Sequence, residues 1–312
     1  MARTSVADRL EYWALRGALG GLRALSWRRA TALGARVGAL GYRPFGVRRA
    51  VVERQIAAAF PSLDPASVQR IARASYEHLG RVTTETALLA TMARAQVLDL
   101  FEGVDGWAMV DGFLTAGRGL IMVAGHLGNW ELAGSYLAAR GIPLDVVARR
   151  MSNPLFDAYL SATRRRIGMA VVYDREAVRS TKRALEHGRA VAFLADQGVK
   201  HLASTFVPFF GRPAKTPRGP AVFALRWGVP IVFGAALRQP SGRYRLVFEH
   251  VPVDETGDRE RDVDRVVARY TEALERWVRV APEQYFWHHR RWRRQPPDTP
   301  PELRDPVASG VA

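Results

Sequence analysis

The sequence predicts an α/β protein: a central mixed, largely parallel sheet flanked by helices, preceded by an N-terminal helical membrane-contact region. Three observations carry this. Residues 1–100 hold helical spacing with no strand pattern, short apolar runs separated by helical stretches begin after Gly119, and the formal charge is +16. Alternating strand and helix patterns predict a sheet covered on its faces. The chain divides accordingly into a partly membrane-associated helical region 1–100, a core 101–295 and a Pro-rich tail 296–312 that is expected to be disordered.

In chain order, Trp13, Leu15, Leu19, Leu22, Leu25 and Trp27 give the first helices an apolar side beside an arginine-rich one. That pattern fits a helix lying in a membrane interface and equally an amphipathic helix packed on the core. Arg16, Arg23, Arg28, Arg29 and Arg36 interrupt it, so it falls short of the roughly 20 nearly uncharged residues a spanning helix requires. No apolar signal-peptide core is visible near the start. Helices break at Pro44 and at residues 60–65, where Ser62 or Asp64 can cap the helix that follows. Strands are expected at 120–124, 144–148, 169–173, 190–195, 230–235 and 244–251, with a helix over 129–140 capped by Asn129 and a long amphipathic helix over 258–280.

A hydrophobic content of 48% lets the chain bury a full core, as one large domain or one domain with an appendage. With no cysteine, disulfides, thiolate metal sites and cysteine nucleophiles are excluded. Lys182, Lys200 and Lys215 are the only lysines, so arginine supplies most of the positive charge. Such a field favours phosphate-bearing or acidic partners: an anionic membrane, nucleic acid or an acidic carrier protein.

The stretch Val123-Ala-Gly-His-Leu-Gly-Asn-Trp-Glu-Leu132 places a histidine and a carboxylate five positions apart at a strand-to-helix junction. His126 falls at the carboxyl end of a strand, where active groups gather in such sheets. A histidine held by a carboxylate can take a proton from a hydroxyl while the carboxylate fixes its tautomer. His126 and Glu131 meet only if the histidine folds back over the first helical turn. Otherwise His126 is an ordinary hydrogen-bonded histidine, and Glu131 a first-turn acid favoured by the helix dipole.

Other chemistries lack their residues. There is no Gly-x-Ser-x-Gly elbow, no His-Glu-x-x-His, no Walker A and no Gly-x-Gly-x-x-Gly. His78, His187, His201, His250, His288 and His289 show no metal-ligand spacing, so no metal site is expected. The segment Tyr285-Phe-Trp-His-His-Arg-Arg-Trp-Arg-Arg294 interleaves aromatics with arginines. It can stack single-stranded nucleic acid, sit at a bilayer interface, or form a helix with core aromatics.

Several separated segments resemble the bacterial late acyltransferases of lipid A biosynthesis and their relatives that acylate phosphatidylinositol mannosides. These are His126 through Glu131, matching His-x4-Asp/Glu; Arg149-Arg-Met-Ser-Asn153-Pro154 followed by Arg164-Arg165-Arg166-Ile-Gly168; Ala195-Asp196-Gln197; Val207-Pro-Phe-Phe-Gly211 with Thr216-Pro217-Arg218-Gly219, read as the turn before the next helix; and Pro282 to Trp292. The resemblance spans roughly residues 5–295.

It implies acyl transfer from a thioester, acyl-ACP or acyl-CoA, to a hydroxyl of a membrane glycolipid, most directly a lipid A precursor, with a phosphatidylinositol mannoside as the alternative acceptor. No cofactor is implied. The expected place is the cytoplasmic face of the inner membrane, in peripheral or monotopic contact with its anionic surface. His126 is then the general base and Glu131 its orienter. Arg149 and Arg166 would bind phosphate, and Asn153, Asp196 and Gln197 would hydrogen-bond substrate or its neighbours. The resemblance favours the bilayer interface for 285–294 and disfavours a nucleic-acid partner.

Overall fold

The computed structural model describes residues 4–198 and 202–308. Lys200, His201 and the last four tail residues lie outside them. The helices are α1 Val6–Arg23, α2 Trp27–Tyr42, α3 Arg49–Ala59, α4 Pro65–Leu88, α5 Arg94–Leu98, α6 Trp107–Thr115, α7 Trp130–Ala139, α8 Pro154–Ile167, α9 Ala177–Glu186, α10 Gly219–Trp227 and α11 Arg259–Val280. The strands are β1 Phe101–Asp105, β2 Leu120–Ala124, β3 Leu144–Ala148, β4 Met169–Tyr173, β5 Ala190–Leu194, β6 Ser204–Phe209, β7 Arg212–Pro217, β8 Ile231–Arg238 and β9 Tyr244–Val251.

Seven strands form one mixed sheet in the order β1-β9-β8-β2-β5-β3-β4, parallel throughout except for the antiparallel pair β8/β9. Helices cover both faces, as buried parallel strands require. Along β2, Ile121 and Val123 pack into one core with α3, α4 and α11, whereas Leu120 and Met122 pack into the other with α7. That is the two-residue alternation of a strand buried on both sides.

All six expected strands form, and no described strand precedes Phe101. Asp64 caps α4 through Ser67 N–H, and Asp258 caps α11 through Arg261 N–H. Three strands had no usable sequence pattern. β1 is a charged edge strand, Phe-Glu-Gly-Val-Asp, and its composition hides it. β6 and β7 form a separate antiparallel hairpin in the segment expected as a turn, with Pro208 opposite Pro213. Proline is admitted there because the hairpin's outer edges need no ladder partners.

Two other expectations differ from the structure. In the described part of the tail, residues 296–308, Asp305 is buried and accepts from Arg290, and Arg212 donates to the Arg304 carbonyl. Ion pairing anchors this stretch where its composition predicts disorder. Tyr285, Trp287 and Trp292 are core residues, with Trp287 and Trp292 fully buried. The core placement of the aromatics agrees with the third reading of this segment and not with the bilayer-interface one, whereas the segment carrying them is irregular rather than helical. Among the described residues no helix is long and apolar enough to cross a membrane.

Candidate active site

Three neighbouring parallel strands deliver the polar groups. β2, β5 and β3 lie side by side, and their carboxyl ends lead into His126, Asp196 with Gln197, and Arg149. The register of β2 on β5 pairs Ala124 with Leu194, so the residues two positions beyond each strand, His126 and Asp196, emerge together.

The Asp196 carboxylate holds the histidine at two points. One oxygen lies 2.7 Å from His126 Nδ1, and the other accepts the His126 main-chain N–H at 2.9 Å. With Nδ1–H given to the carboxylate, Nε2 carries the lone pair. Burial opposes the imidazolium, but the charge and hydrogen bond of Asp196 outweigh it and raise the His126 pKa, with Glu131 adding to the effect. Burial likewise opposes the Asp196 anion, yet His126 and then Arg291 hold it below the usual carboxylate range. Trp130 packs edge-on against the His126 ring at 4.8 Å between centroids, and Gln197 Nε2 stands 3.2 Å from Nδ1.

Glu131 is not the carboxylate on Nδ1. Both its oxygens accept from Arg164 of α8, one of them from Nε at 3.0 Å. The first turn of α7 aims Glu131 at α8, while Asp196 approaches the histidine along the neighbouring strand. Glu131 therefore acts on His126 through its charge rather than through a hydrogen bond. Arg164 itself was hidden in a run of three arginines, and only the helical phase of α8 picks it out.

Of the other expected residues, Arg149 is exposed at the end of β3 and lines the same cavity as His126, Glu131 and Gln197. Asn153 and Arg166 do not reach it. Asn153 caps α8 through Leu155 N–H and donates to the Asp8 carbonyl and to Glu11, tying α1 to α8. Arg166 donates to the carbonyls of Leu89 and Met92. Both side chains are spent on chain connections.

The turn carrying His126 is clamped from below. Phe286 N–H donates to the His126 carbonyl at 2.9 Å, and Gly128 N–H donates to the Gln284 carbonyl at 3.0 Å. Gly128 has φ +60°, and a Cβ there would lie 1.9 Å from the Ala236 carbonyl oxygen, so only glycine fits. Asn129 caps α7 through Leu132 N–H and donates to the buried Glu85, which also receives Arg238 at 2.6 Å and the Tyr244 hydroxyl. Burial raises the Glu85 pKa against these partners. The sequence showed no sign of this network, whose members are up to 159 residues apart.

His126 and the Glu131–Arg164 pair stand at a cavity of about 790 Å3, walled largely by apolar residues including Leu79, Val82, Leu160, Val178, Phe193 and Phe223. That volume lies within the ~300–1,000 Å3 of small-ligand sites. A narrower chamber of about 90 Å3 shares Trp130, Val147, Phe193 and Leu194 with it and runs between β-sheet and α7 past Leu137, Met169 and Ala192. Among the described residues no group of three His, Asp or Glu is placed to hold a metal ion. The arrangement offers a carboxylate-held imidazole base beside an apolar, ligand-sized hollow.

The family described as bacterial lipid A biosynthesis acyltransferase matches residues 3–294 of the chain. The chain is 27% identical over 271 residues to the lipid A biosynthesis palmitoleoyltransferase of Escherichia coli strain K12, covering 85% of each. It is 26% identical over 270 residues to the lipid A biosynthesis lauroyltransferase of the same strain, covering 86% of each. It is also 28% identical over 165 residues, about half of each chain, to a phosphatidylinositol mannoside acyltransferase of Mycobacterium tuberculosis strain CDC 1551 / Oshkosh.

Proposed function

The chain belongs to the bacterial lipid A biosynthesis acyltransferase family, and as an acyltransferase acting on glycolipid we propose that it moves a fatty acyl group from acyl-ACP or acyl-CoA to a hydroxyl of a lipid A precursor. The observation that carries this reading is the His126–Asp196 pair, whose imidazole lines the apolar cavity. His126 Nε2 takes the proton of the acceptor hydroxyl while Asp196 keeps Nδ1–H in place and stabilises the imidazolium. The oxygen attacks the thioester carbonyl, the tetrahedral intermediate collapses with cleavage of the C–S bond, and the imidazolium returns the proton to the leaving thiolate. The product is an ester and a free thiol.

In this reading the acyl chain lies in the cavity, where burial of each CH2 contributes about 0.8 kcal/mol. Gln197 lies beside the reacting groups, and Arg149 offers its guanidinium to a substrate phosphate at the rim. Glu131 keeps Arg164 in place and adds negative charge near His126. A phosphatidylinositol mannoside is the second acceptor reading, supported by the mycobacterial similarity.

Membrane access is part of the proposal. Val6, Leu10 and Trp13 of α1 are 67–75% exposed at i, i+4 and i+7 spacing, with Arg9, Arg16 and Arg23 recurring along a neighbouring stripe. Leu33, Val37 and Leu40 repeat the exposed apolar pattern on α2. A peripheral helix pair with apolar faces in the interface and arginines at anionic headgroups fits this, and we place the contact at the cytoplasmic face of the inner membrane.

The test is mass spectrometry of lipid A precursor or phosphatidylinositol mannoside incubated with protein and either donor. Gain of one acyl chain, lost in His126→Ala with unchanged circular dichroism, is the expected result. Turnover by His126→Ala near that of the parent protein would remove the mechanism.

A further inference from the structure

A second cavity, of about 300 Å3, opens beside the catalytic turn and differs in kind from the first. Six cationic side chains line it, and no carboxylate does. Arg290 is paired with Asp305, and Arg291 donates to the Lys215 carbonyl and Thr216. Arg48, Lys215, Arg293 and Arg294 face the cavity with no carboxylate partner among the described residues. Arg48 sits in left-handed backbone, φ 57°, at the start of α3, which brings a distant helix to this wall.

Side chains here are also short of partners. His288 is 91% buried by its 9% exposure, yet neither ring nitrogen has a hydrogen-bond partner, and the same holds for Arg290 Nε and Arg291 Nε. Buried polar atoms are ordinarily paired, and leaving one without a partner is destabilising. Four cations facing one hollow, Arg48, Lys215, Arg293 and Arg294, have no counter-charge among the described residues, and that is the arrangement an anion would complete. Burial lowers the His288 pKa to about 4, so the ring adds no charge to this wall near pH 7.

The cavity touches the chemistry through its walls. Phe286, on one wall, donates its main-chain N–H to the His126 carbonyl, and Gly198, on another, follows Gln197, which stands against the His126 ring. A group held here has its near end close to the turn that carries the base.

We propose that this cavity is a phosphate-binding site, taking a phosphate monoester or diester carried by one of the two substrates. The guanidinium forks of Arg48, Arg293 and Arg294 and the ammonium of Lys215 match the oxygens of such a group with short charge-assisted hydrogen bonds. The position of the phosphate relative to the reacting oxygen or thioester rests on the acyl-transfer reading; the binding itself does not. The phosphate comes either from the donor's phosphopantetheine or nucleotide portion or from the glycolipid headgroup. Holding it would orient that substrate about His126, which raises the rate through positioning.

Titration calorimetry on the full chain tests this without turnover. Coenzyme A is compared with pantetheine, and glucosamine 1-phosphate with glucosamine. At least one phosphate-bearing probe binds at least tenfold more tightly than its phosphate-free counterpart. Arg48→Gln/Arg293→Gln, two exposed side chains without ion pairs, weakens that probe at least tenfold with an unchanged melting temperature, and Lys215→Gln weakens the same probe. Loss confined to coenzyme A assigns the phosphate to the donor, and loss confined to the sugar phosphate assigns it to the acceptor; both uphold the site. Equal binding of phosphate-bearing and phosphate-free probes, or unchanged affinities in both variants, overturns it. Phosphate binding that persists in a protein devoid of transfer activity upholds the site and removes the acyl-transfer reading instead.

Discussion

Asp196 holds His126 twice, accepting from the ring at 2.7 Å and from the backbone N–H at 2.9 Å, across 70 residues of sequence. Tautomer and position are thereby set by one buried carboxylate. Parallel pairing of β2 with β5 makes this possible, because it brings two strand ends to the same level.

Asp196→Asn separates these roles. A general base contributes about 100- to 10,000-fold, and kcat/KM should fall by that order because the amide no longer stabilises the imidazolium. The pH profile carries the sign. In the proposed mechanism His126 acts only when neutral, so activity should rise with pH through its pKa, which Asp196 holds above the ordinary 6.5. Removing the charge moves the acidic limb to lower pH. A limb that stayed in place would dissociate Asp196 from the titration.

Glu131 and Arg164 form a largely buried ion pair, their side chains 9% and 15% exposed. Glu131→Gln leaves Arg164 without its counter-charge and should cost about 3 kcal/mol of stability. In Glu131→Gln/Arg164→Met much of that loss should return in urea unfolding while transfer stays impaired. Full recovery of both would reduce the pair to a structural role.

Ala192 lines the narrow inner chamber that shares Phe193 and Leu194 with the larger cavity, and the proposed reading extends the end of the acyl chain into it. A phenyl ring there, in Ala192→Phe, should shorten the acyl chains accepted. Each excluded CH2 forfeits about 0.8 kcal/mol, so two fewer amount to roughly tenfold in kcat/KM for the longest chains. Competition among acyl-CoA lengths reads this directly, and an unaltered length profile would place the chain elsewhere.

Leu10→Asp/Trp13→Asp puts charge on the exposed apolar stripe of α1. Flotation with vesicles containing anionic phospholipid should drop at least tenfold, with transfer to a water-soluble acceptor analogue retained. Undiminished flotation would move the membrane contact away from α1.

All six expected strands, the cap residues Asp64 and Asn129, the long helix over 258–280 and the junction carrying His126 were legible in the sequence, because each depends on residues within one or two turns of one another. Side-chain period and capping chemistry are local signals. The hairpin β6/β7 and the edge strand β1 were not, since proline and charge mask strand preference where pairing alone stabilises it.

The site divides along the same line. Sequence alone determined that a histidine stands at a strand end with Glu131 five positions on, and the family resemblance added Arg149, Asn153, Arg166, Asp196 and Gln197 as groups expected to work with it. Only the tertiary structure decided that Asp196 grips the ring while Glu131 takes Arg164, that Asn153 and Arg166 are spent on chain connections, and that Trp287 and Trp292 fill the core as the arginines beside them line a cavity. Partner choice among buried charges depends on strand order and helix phase across 33 to 70 residues of chain. A linear motif records which groups exist, whereas the order of the strands records which of them meet.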